Sequence, residues 1–75
     1  NQKIDFLSKR TTREKLLAYL SAQAEQTGSR QLVIPFNRQE LADFLCVDRS
    51  AMSAELGRMQ RDGLIEYNKR NFRLL

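Results

Sequence analysis

The chain has 75 residues with three Gly and one Pro, which is enough for one small domain and leaves no room for a second. Thirteen Lys and Arg against nine Asp and Glu give a net charge of +4, which favours a polyanionic partner without specifying one. A single Cys excludes an intrachain disulfide, and the absence of His removes the commonest metal ligand and general base. We therefore expect neither an enzyme nor a metal or cofactor site.

The first predicted helix begins at a capping box formed by Thr11 and Glu14. Apolar residues then recur at helical spacing until Thr27-Gly28-Ser29 ends the run. These apolar residues are Leu16, Leu17, Leu20 and Ala24. The Leu-Val-Ile stretch at 32–34, which Pro35 ends, predicts an edge strand able to pair with a later hairpin.

Two further helices follow at short range. Asn37 and Glu40 form a second capping box, which predicts a helix of about two turns. Its inward residues are Leu41, Ala42 and Leu45. Asp48 caps the third helix, and Gly63 offers it a left-handed carboxy-terminal cap. The third helix has one apolar stripe, expected to be core and made of Met52, Leu56 and Met59.

Leu64 and Ile65 lead into a terminal hairpin, for which we predict Asn68-Lys69 as the two-residue turn, because Asn tolerates positive φ. Two short amphipathic helices around a tight turn, followed by a small basic hairpin, indicate a winged helix-turn-helix. The predicted fold is thus mainly α with a small β-hairpin wing, over residues 11–75. In such folds the second helix of the pair enters a groove of DNA.

The helix pair and the hairpin contain three stretches that carry a family resemblance: Arg38-Gln39-Glu40-Leu41-Ala42, Asp48-Arg49-Ser50-Ala51-Met52-Ser53 and Gly63-Leu64-Ile65. They resemble the carboxy-terminal domain of the cyclic-AMP receptor protein/fumarate-nitrate regulator (Crp/Fnr) family of bacterial transcription factors. Residues 8–20 fit the lead-in helix of the same domain. The resemblance implies sequence-specific binding of double-stranded DNA by a transcription regulator. It puts a recognition helix, about residues 49–62, in the major groove and a wing, about residues 66–73, on the backbone.

Arg49 is the residue that we expect to read DNA sequence. It lies in the first turn of the third helix, where side chains reach base edges, and its guanidinium can bond O6 and N7 of one guanine. The alternative is an ion pair with Asp48 or Glu40. A rotation of about 100° per residue from the apolar stripe turns a face of small side chains outward. Predicted base contacts are Arg49, Ser50, Ser53 and Ala54.

Basic and polar groups around this helix are predicted to contact the phosphates of the DNA backbone, although any one of them alone is more often a solvated surface group. These predicted backbone contacts are Arg38, Gln39, Arg58, Arg61, Lys69 and Arg70. Gly57 lies on the same outward face and costs about 1 kcal/mol relative to Ala in a helix interior. Either close approach to DNA or a tolerated defect accounts for it.

The chain departs from the resembled pattern at two places. Ser50 and Ala54 stand where the family often has an acidic residue and a second arginine, so the family's operator half-site is not carried over. Ala54 can still contact a thymine methyl, and DNA deformability can add specificity. Cys46 stands where Gly is frequent, in a turn where a left-handed non-Gly residue costs about 1 to 2 kcal/mol. We expect it to be a small buried hydrophobe and not a redox sensor.

The resemblance also implies a larger protein. Residues 1–10 are predicted to be the end of a dimerisation helix or its hinge, and the start at Asn1 suits a fragment of a longer chain. A sensor domain would bind the effector, the full-length protein would be a homodimer on a pseudo-palindromic site, and RNA polymerase is a candidate further partner. We expect a reduced, cytoplasmic protein without membrane contact, since no apolar run approaches the roughly 18 residues that span a bilayer.

Two other functions remain open at this point. One is a winged helix that docks a protein and does not bind DNA, which would leave Arg49 and the basic wing without a role. The other is RNA binding, which is disfavoured because exposed aromatics usually stack on unpaired bases, and Phe36, Phe44 and Phe72 are expected to be buried.

Overall fold

The computed structural model describes residues 10–75, which form three helices and three short strands. These are α1 (Thr12–Thr27), β1 (Gln31–Val33), α2 (Arg38–Leu45), α3 (Arg49–Arg61), β2 (Ile65–Asn68) and β3 (Asn71–Leu74). The mainly α fold with a hairpin wing is therefore confirmed. The predicted dimerisation helix or hinge falls almost entirely on residues 1–9, which lie outside the described residues.

Side-chain caps begin the helices where the sequence predicts them. Asn37 Oδ1 accepts the backbone N–H of Glu40 at 2.8 Å, and Glu40 Oε1 accepts that of Asn37 at 2.9 Å. Thr11 and Glu14 form the same reciprocal pair at α1. Asp48 Oδ2 accepts the Ala51 N–H at 2.9 Å and caps α3. Each cap satisfies backbone donors that the first helical turn leaves unpaired.

The carboxy-terminal ends of α2 and α3 share one backbone motif. After α3, Gly63 has φ 77°, its N–H donates to Gln60 O at 3.1 Å, and the next N–H donates to Met59 O at 3.0 Å. After α2, Cys46 has φ 60° and ψ 45°, and the N–H of Val47 donates to Ala42 O at 3.0 Å. Both ends are Schellman caps, one of them with a non-Gly residue in the left-handed region.

Cys46 is exposed, so the expectation of a buried side chain is wrong. The left-handed backbone turns the thiol towards solvent, and the next residue, Val47, packs against the core in its place. Such an apolar contact from the residue after the left-handed one usually accompanies this cap.

The three strands form an antiparallel sheet in the order β1-β3-β2, so β1 is the edge strand that pairs with the hairpin, as predicted. The hairpin turn is Lys69-Arg70, however, and not Asn68-Lys69, because the flanking pair is Asn68 with Asn71. In this register Tyr67 faces Phe72 and Ile65 faces Leu74, which makes two apolar cross-strand pairs. The predicted turn would instead have placed Tyr67 opposite Arg70.

The core lies between the three helices and one face of the sheet. Its fully buried side chains include the predicted stripe of α3, Met52, Leu56 and Met59, together with Leu16, Leu20, Leu41, Leu45, Ile65 and Phe72. Phe44 was expected to be buried but is 40% exposed, and Phe36 is only partly buried. Phe44 lies beside the inward face of the short helix α2 and packs edge-on against Tyr19, with ring centroids 5.6 Å apart. Within residues 10–75, no helix is long and apolar enough to cross a membrane.

Candidate nucleic-acid interface

The outward face of α3 consists of small side chains with arginines at its two ends. Its exposed residues include Arg49, Ser50, Ser53, Ala54 and Arg61. Gly57 is half-buried, and a methyl group added there would meet only Arg61 Nη1, at 3.9 Å. Packing within the domain therefore does not require glycine at this position. The absence of long side chains in the middle of the face leaves the helix backbone open to close approach by a partner.

Arg49 is the first residue of α3 and is exposed. The carboxylates considered as its ion-pair partners are used elsewhere: that of Asp48 caps α3, and that of Glu40 caps α2. Among residues 10–75, no side-chain hydrogen bond or ion pair involves Arg49. Its guanidinium is therefore free to bind a partner beyond the amino-terminal end of α3.

Arg58, on the shoulder of the same face, is held within the domain. Its Nε and Nη2 donate to Glu55 Oε1 at 3.1 and 2.7 Å, and Glu55 Oε2 accepts Nε of Arg13. Arg13 Nη2 also donates to Asp62 at 2.9 Å, so the start of α1 is tied both to α3 and to the residue that ends it. Hydrogen bonds from Arg58 and then Arg13 lower the pKa of Glu55, and the bonds to Glu55 and Asp62 raise the pKa of Arg13.

This network was not predicted from the sequence. The pair of Glu55 and Arg58 at i,i+3 spacing was a local signal that could have been found. Arg13 and Glu55 are 42 residues apart, and no sequence pattern brings them together.

Lys69 and Arg70 form the wing tip, where both side chains are exposed. The backbone carbonyls of both residues bond to the body of the domain. Lys69 O accepts Nη2 of Arg38 at 2.7 Å, and Arg70 O accepts the N–H of Ile34 at 2.8 Å. Lys69 has φ 57°, so it is the second non-Gly residue of the described chain in the left-handed region.

Arg38 is half-buried against the wing. Its guanidinium carbon lies 5.3 Å from the ring centroid of Tyr67 and 5.1 Å from that of Phe72, and burial lowers its pKa below the ordinary value. An open pocket of about 260 Å³ lies beside it, lined by Asn37, Arg38, Lys69 and Arg70. Gln39, the other polar residue predicted at the start of α2, donates its amide N–H to Asp43 Oδ1 at 2.9 Å.

The structure thus brings the predicted contacts into two groups. Arg49, Ser50, Ser53, Ala54, Arg58 and Arg61 lie along α3, and Arg38, Gln39, Lys69 and Arg70 lie at the start of α2 and the wing tip. Of the cations, Arg38 and Arg58 are engaged with neighbouring residues of the domain, whereas Arg49, Arg61, Lys69 and Arg70 are exposed and have no side-chain hydrogen bond or ion pair among residues 10–75.

A helix pair around a tight turn, a hairpin wing and an exposed cationic helix face define a winged helix-turn-helix DNA-binding domain. Residues 14–75 match the family model of the Crp-like helix-turn-helix domain. Because the match spans most of the chain, the protein belongs to this family and carries the DNA-binding domain of a transcription regulator. A search of curated proteins finds no match to the chain.

Proposed function

We propose that this domain binds double-stranded DNA in a sequence-specific manner, with α3 in the major groove and the hairpin wing on the backbone. The observation that carries the proposal is the outward face of α3, where an unpaired Arg49 at the first position adjoins the small Ser50 and Ala54. A helix with its side chains is about 10–12 Å wide and the major groove is about 12 Å wide, so small residues allow the deepest approach.

Direct reading of bases is assigned to four residues of α3. Arg49 bonds O6 and N7 of one guanine, because its planar fork of donors matches both acceptors. Ser50 and Ser53 bond a base edge or a phosphate, and Ala54 contacts a thymine methyl. Specific readout then depends mainly on one arginine, so DNA deformability contributes a larger share than in proteins with several base-reading arginines.

Contacts to the backbone flank this reading surface. Lys69 and Arg70 bind phosphates from the wing tip, and Arg61 binds one at the other end of α3. Arg58 adds less to the salt dependence than Arg61, because Glu55 neutralises much of its charge. Gln39 lies with Arg38 at the start of α2, where free backbone N–H groups and the helix dipole favour a phosphate.

The larger assembly is part of the same proposal. Family membership supports a bacterial regulator that acts in the cytoplasm, where chromosomal DNA is found. We propose that the full-length protein is a homodimer on a pseudo-palindromic site, with its dimer contacts amino-terminal to residue 11, and that RNA polymerase is a further partner.

The test begins with selection of a preferred duplex from a random library. Arg49→Ala should weaken binding to that duplex by about 1 to 3 kcal/mol and relax the preference at one base pair. Lys69→Ala should weaken all sequences alike and lower the slope of log K against log salt by about 1. Fluorescence anisotropy on the preferred and a random duplex measures both, with Arg30→Ala as a control for net charge because Arg30 is exposed and lies outside the proposed contacts. Equal losses on both duplexes from Arg49→Ala would remove Arg49 from the base-reading residues.

A second candidate function is docking of a protein partner by the wing sheet. It is favoured by Val33, which is 75% exposed on the edge strand β1. Docking through an apolar edge would not require a steep salt dependence, whereas DNA binding releases counterions and does. A salt titration of binding to random duplex DNA therefore separates the two functions.

A further inference from the structure

We infer that Arg38 is a positioning residue that fixes the wing tip, so that its contribution to DNA binding acts through Lys69 and Arg70. This inference rests on the proposed function, because it concerns how the wing meets the DNA backbone. It differs from the simpler expectation for Arg38, in which its guanidinium contributes a phosphate contact of its own.

Both residues of the hairpin turn are held by the body of the domain. Lys69 O accepts Nη2 of Arg38 at 2.7 Å, and Arg70 O accepts the N–H of Ile34 at 2.8 Å. The turn sequence is otherwise poor, since two-residue hairpin turns favour Asn-Gly or Asp-Gly and Lys69 adopts φ 57° without glycine. The strands of the hairpin are held by β1 and the core, whereas the two turn residues are joined to the body of the domain by these two bonds.

The guanidinium of Arg38 makes two kinds of contact with the wing at once. Arg38 lies over Tyr67 and Phe72, which are stacked with ring centroids 5.6 Å apart, and donates to Lys69 O at the same time. A planar guanidinium can stack on rings and donate in its own plane, whereas a Lys ammonium is a strongly hydrated point charge that does not combine the two. The arrangement therefore requires arginine and not merely a positive charge.

The consequence for binding is preorganisation. Holding the turn before DNA arrives reduces the conformational entropy that Lys69 and Arg70 lose on contact with phosphates. One phosphate contact with a salt slope of about 0.9 corresponds to about a fivefold change in affinity at 0.15 M salt relative to 1 M. Loss of the Arg38 contacts should remove most of the affinity that a phosphate contact of the wing tip contributes, and the contacts of α3 should not change.

The test is a double-mutant cycle on random duplex DNA. Lys69→Ala should weaken the otherwise unchanged chain about fivefold at 0.15 M salt but less than about twofold in the Arg38→Met background. Arg38→Lys retains the charge and should behave like Arg38→Met in this cycle. Arg30→Met removes an exposed arginine elsewhere and should leave the fivefold effect of Lys69→Ala intact.

If the guanidinium of Arg38 itself bound a DNA phosphate, the double-mutant cycle would give the opposite pattern. Arg38→Lys would then keep the affinity and the salt slope, Arg38→Met would lower the slope by about 1, and either effect would add to that of Lys69→Ala without coupling. That outcome would overturn the inference.

Proton NMR of the DNA-free protein keeps the inference separate from the proposed function. Arg38→Met and Arg38→Lys should both shift the ring resonances of Tyr67 and Phe72 and speed amide exchange around the tip, while the amides of α3 keep their protection. If the protein proved not to bind DNA with a steep salt dependence, the proposed function would fail while this readout still reported on the wing. Unchanged ring resonances and unchanged tip exchange in both variants would overturn the inference whatever the DNA result.

Discussion

Cys46→Gly should stabilise the domain. Cys46 ends α2 with φ 60° and ψ 45°, and the backbone bonds of its cap do not involve the thiol. The side chain is exposed, so its removal costs little buried apolar area. What changes is the backbone, because glycine adopts this left-handed conformation without the steric conflict that Cβ creates.

The magnitude is the difference of two terms. Relief of left-handed strain raises the free energy of unfolding by about 1 to 2 kcal/mol. The greater flexibility of glycine in the unfolded chain lowers it by about 0.4 to 1 kcal/mol. The midpoints of these ranges leave a net gain of about 0.8 kcal/mol, which for a domain of this size raises the melting temperature by about 3 to 6 °C.

Gly63→Ala tests the same physics with the opposite sign. Gly63 has φ 77°, and an added Cβ meets no atom within 4 Å, so the substitution introduces backbone strain without a clash. Thermal melting followed by circular dichroism should show a loss for Gly63→Ala that is comparable to the gain for Cys46→Gly. Cys46→Ala is the matched control and should change little, because it retains Cβ. If Cys46→Gly melted no higher than Cys46→Ala, the assignment of a strained left-handed turn between α2 and α3 would be refuted.

Three further outcomes are expected. Asn37→Ala removes the cap of α2 and should cost about 1 kcal/mol with the fold intact; an unchanged melting midpoint would show that the capping bonds add nothing. Glu55→Gln should lower the melting temperature at pH 7, because Arg58 and Arg13 depress the folded-state pKa of Glu55 and so stabilise the folded domain while Glu55 is ionised. The difference in melting temperature between the two proteins should shrink as pH falls below the ordinary Glu pKa of 4.5 and through the lower folded-state pKa. A constant difference down to pH 3 would contradict this. The single chain should bind DNA as a monomer with a Kd of roughly 10⁻⁴ to 10⁻⁶ M. Two copies joined by a linker that spans half-sites about 34 Å apart should bind DNA more tightly than the untethered chain by a factor of about 10² or more. Nanomolar binding or a stable micromolar dimer of the untethered chain would contradict it.

The parts of the fold that could be predicted from the sequence are those fixed by short-range chemistry. Capping boxes join residues three apart, as Asn37 with Glu40, and each helix begins where its capping residue lies. The stripe of Met52, Leu56 and Met59 is confirmed as core because helical periodicity alone determines which side faces inward.

Other features depend on tertiary contacts that no local pattern contains. The hairpin turn shifts to Lys69-Arg70 because register is chosen by apolar pairs across the strands, and the preference of Asn68 for a turn is weaker than that pairing. Phe44 remains 40% exposed although its ring packs against those of Tyr19 and Phe36. The cluster of Tyr19, Phe36 and Phe44 with centroids 5.0 to 6.4 Å apart therefore appears only in three dimensions.

The charges of the candidate site also depend on tertiary contacts that the sequence does not reveal. Residues 38–75 hold seven basic and six acidic side chains, a balance of +1 that argues poorly for DNA binding. The acids are not spread evenly among the bases, however. Glu40 and Asp48 cap helices, and Glu55 binds Arg58, so none of these three carboxylates forms an ion pair with the exposed arginines at the ends of α3.

Four of the seven basic side chains are left exposed without a side-chain hydrogen bond or ion pair to residues 10–75: Arg49, Arg61, Lys69 and Arg70. They lie at the two ends of α3 and at the wing tip. Phosphates respond to the nearest unscreened charges, because the Debye length is about 8 Å at physiological salt. Four cations without a carboxylate partner among residues 10–75 thus lie at the ends of α3 and at the wing tip, and a count of charges along a nearly neutral half of the chain does not reveal this arrangement.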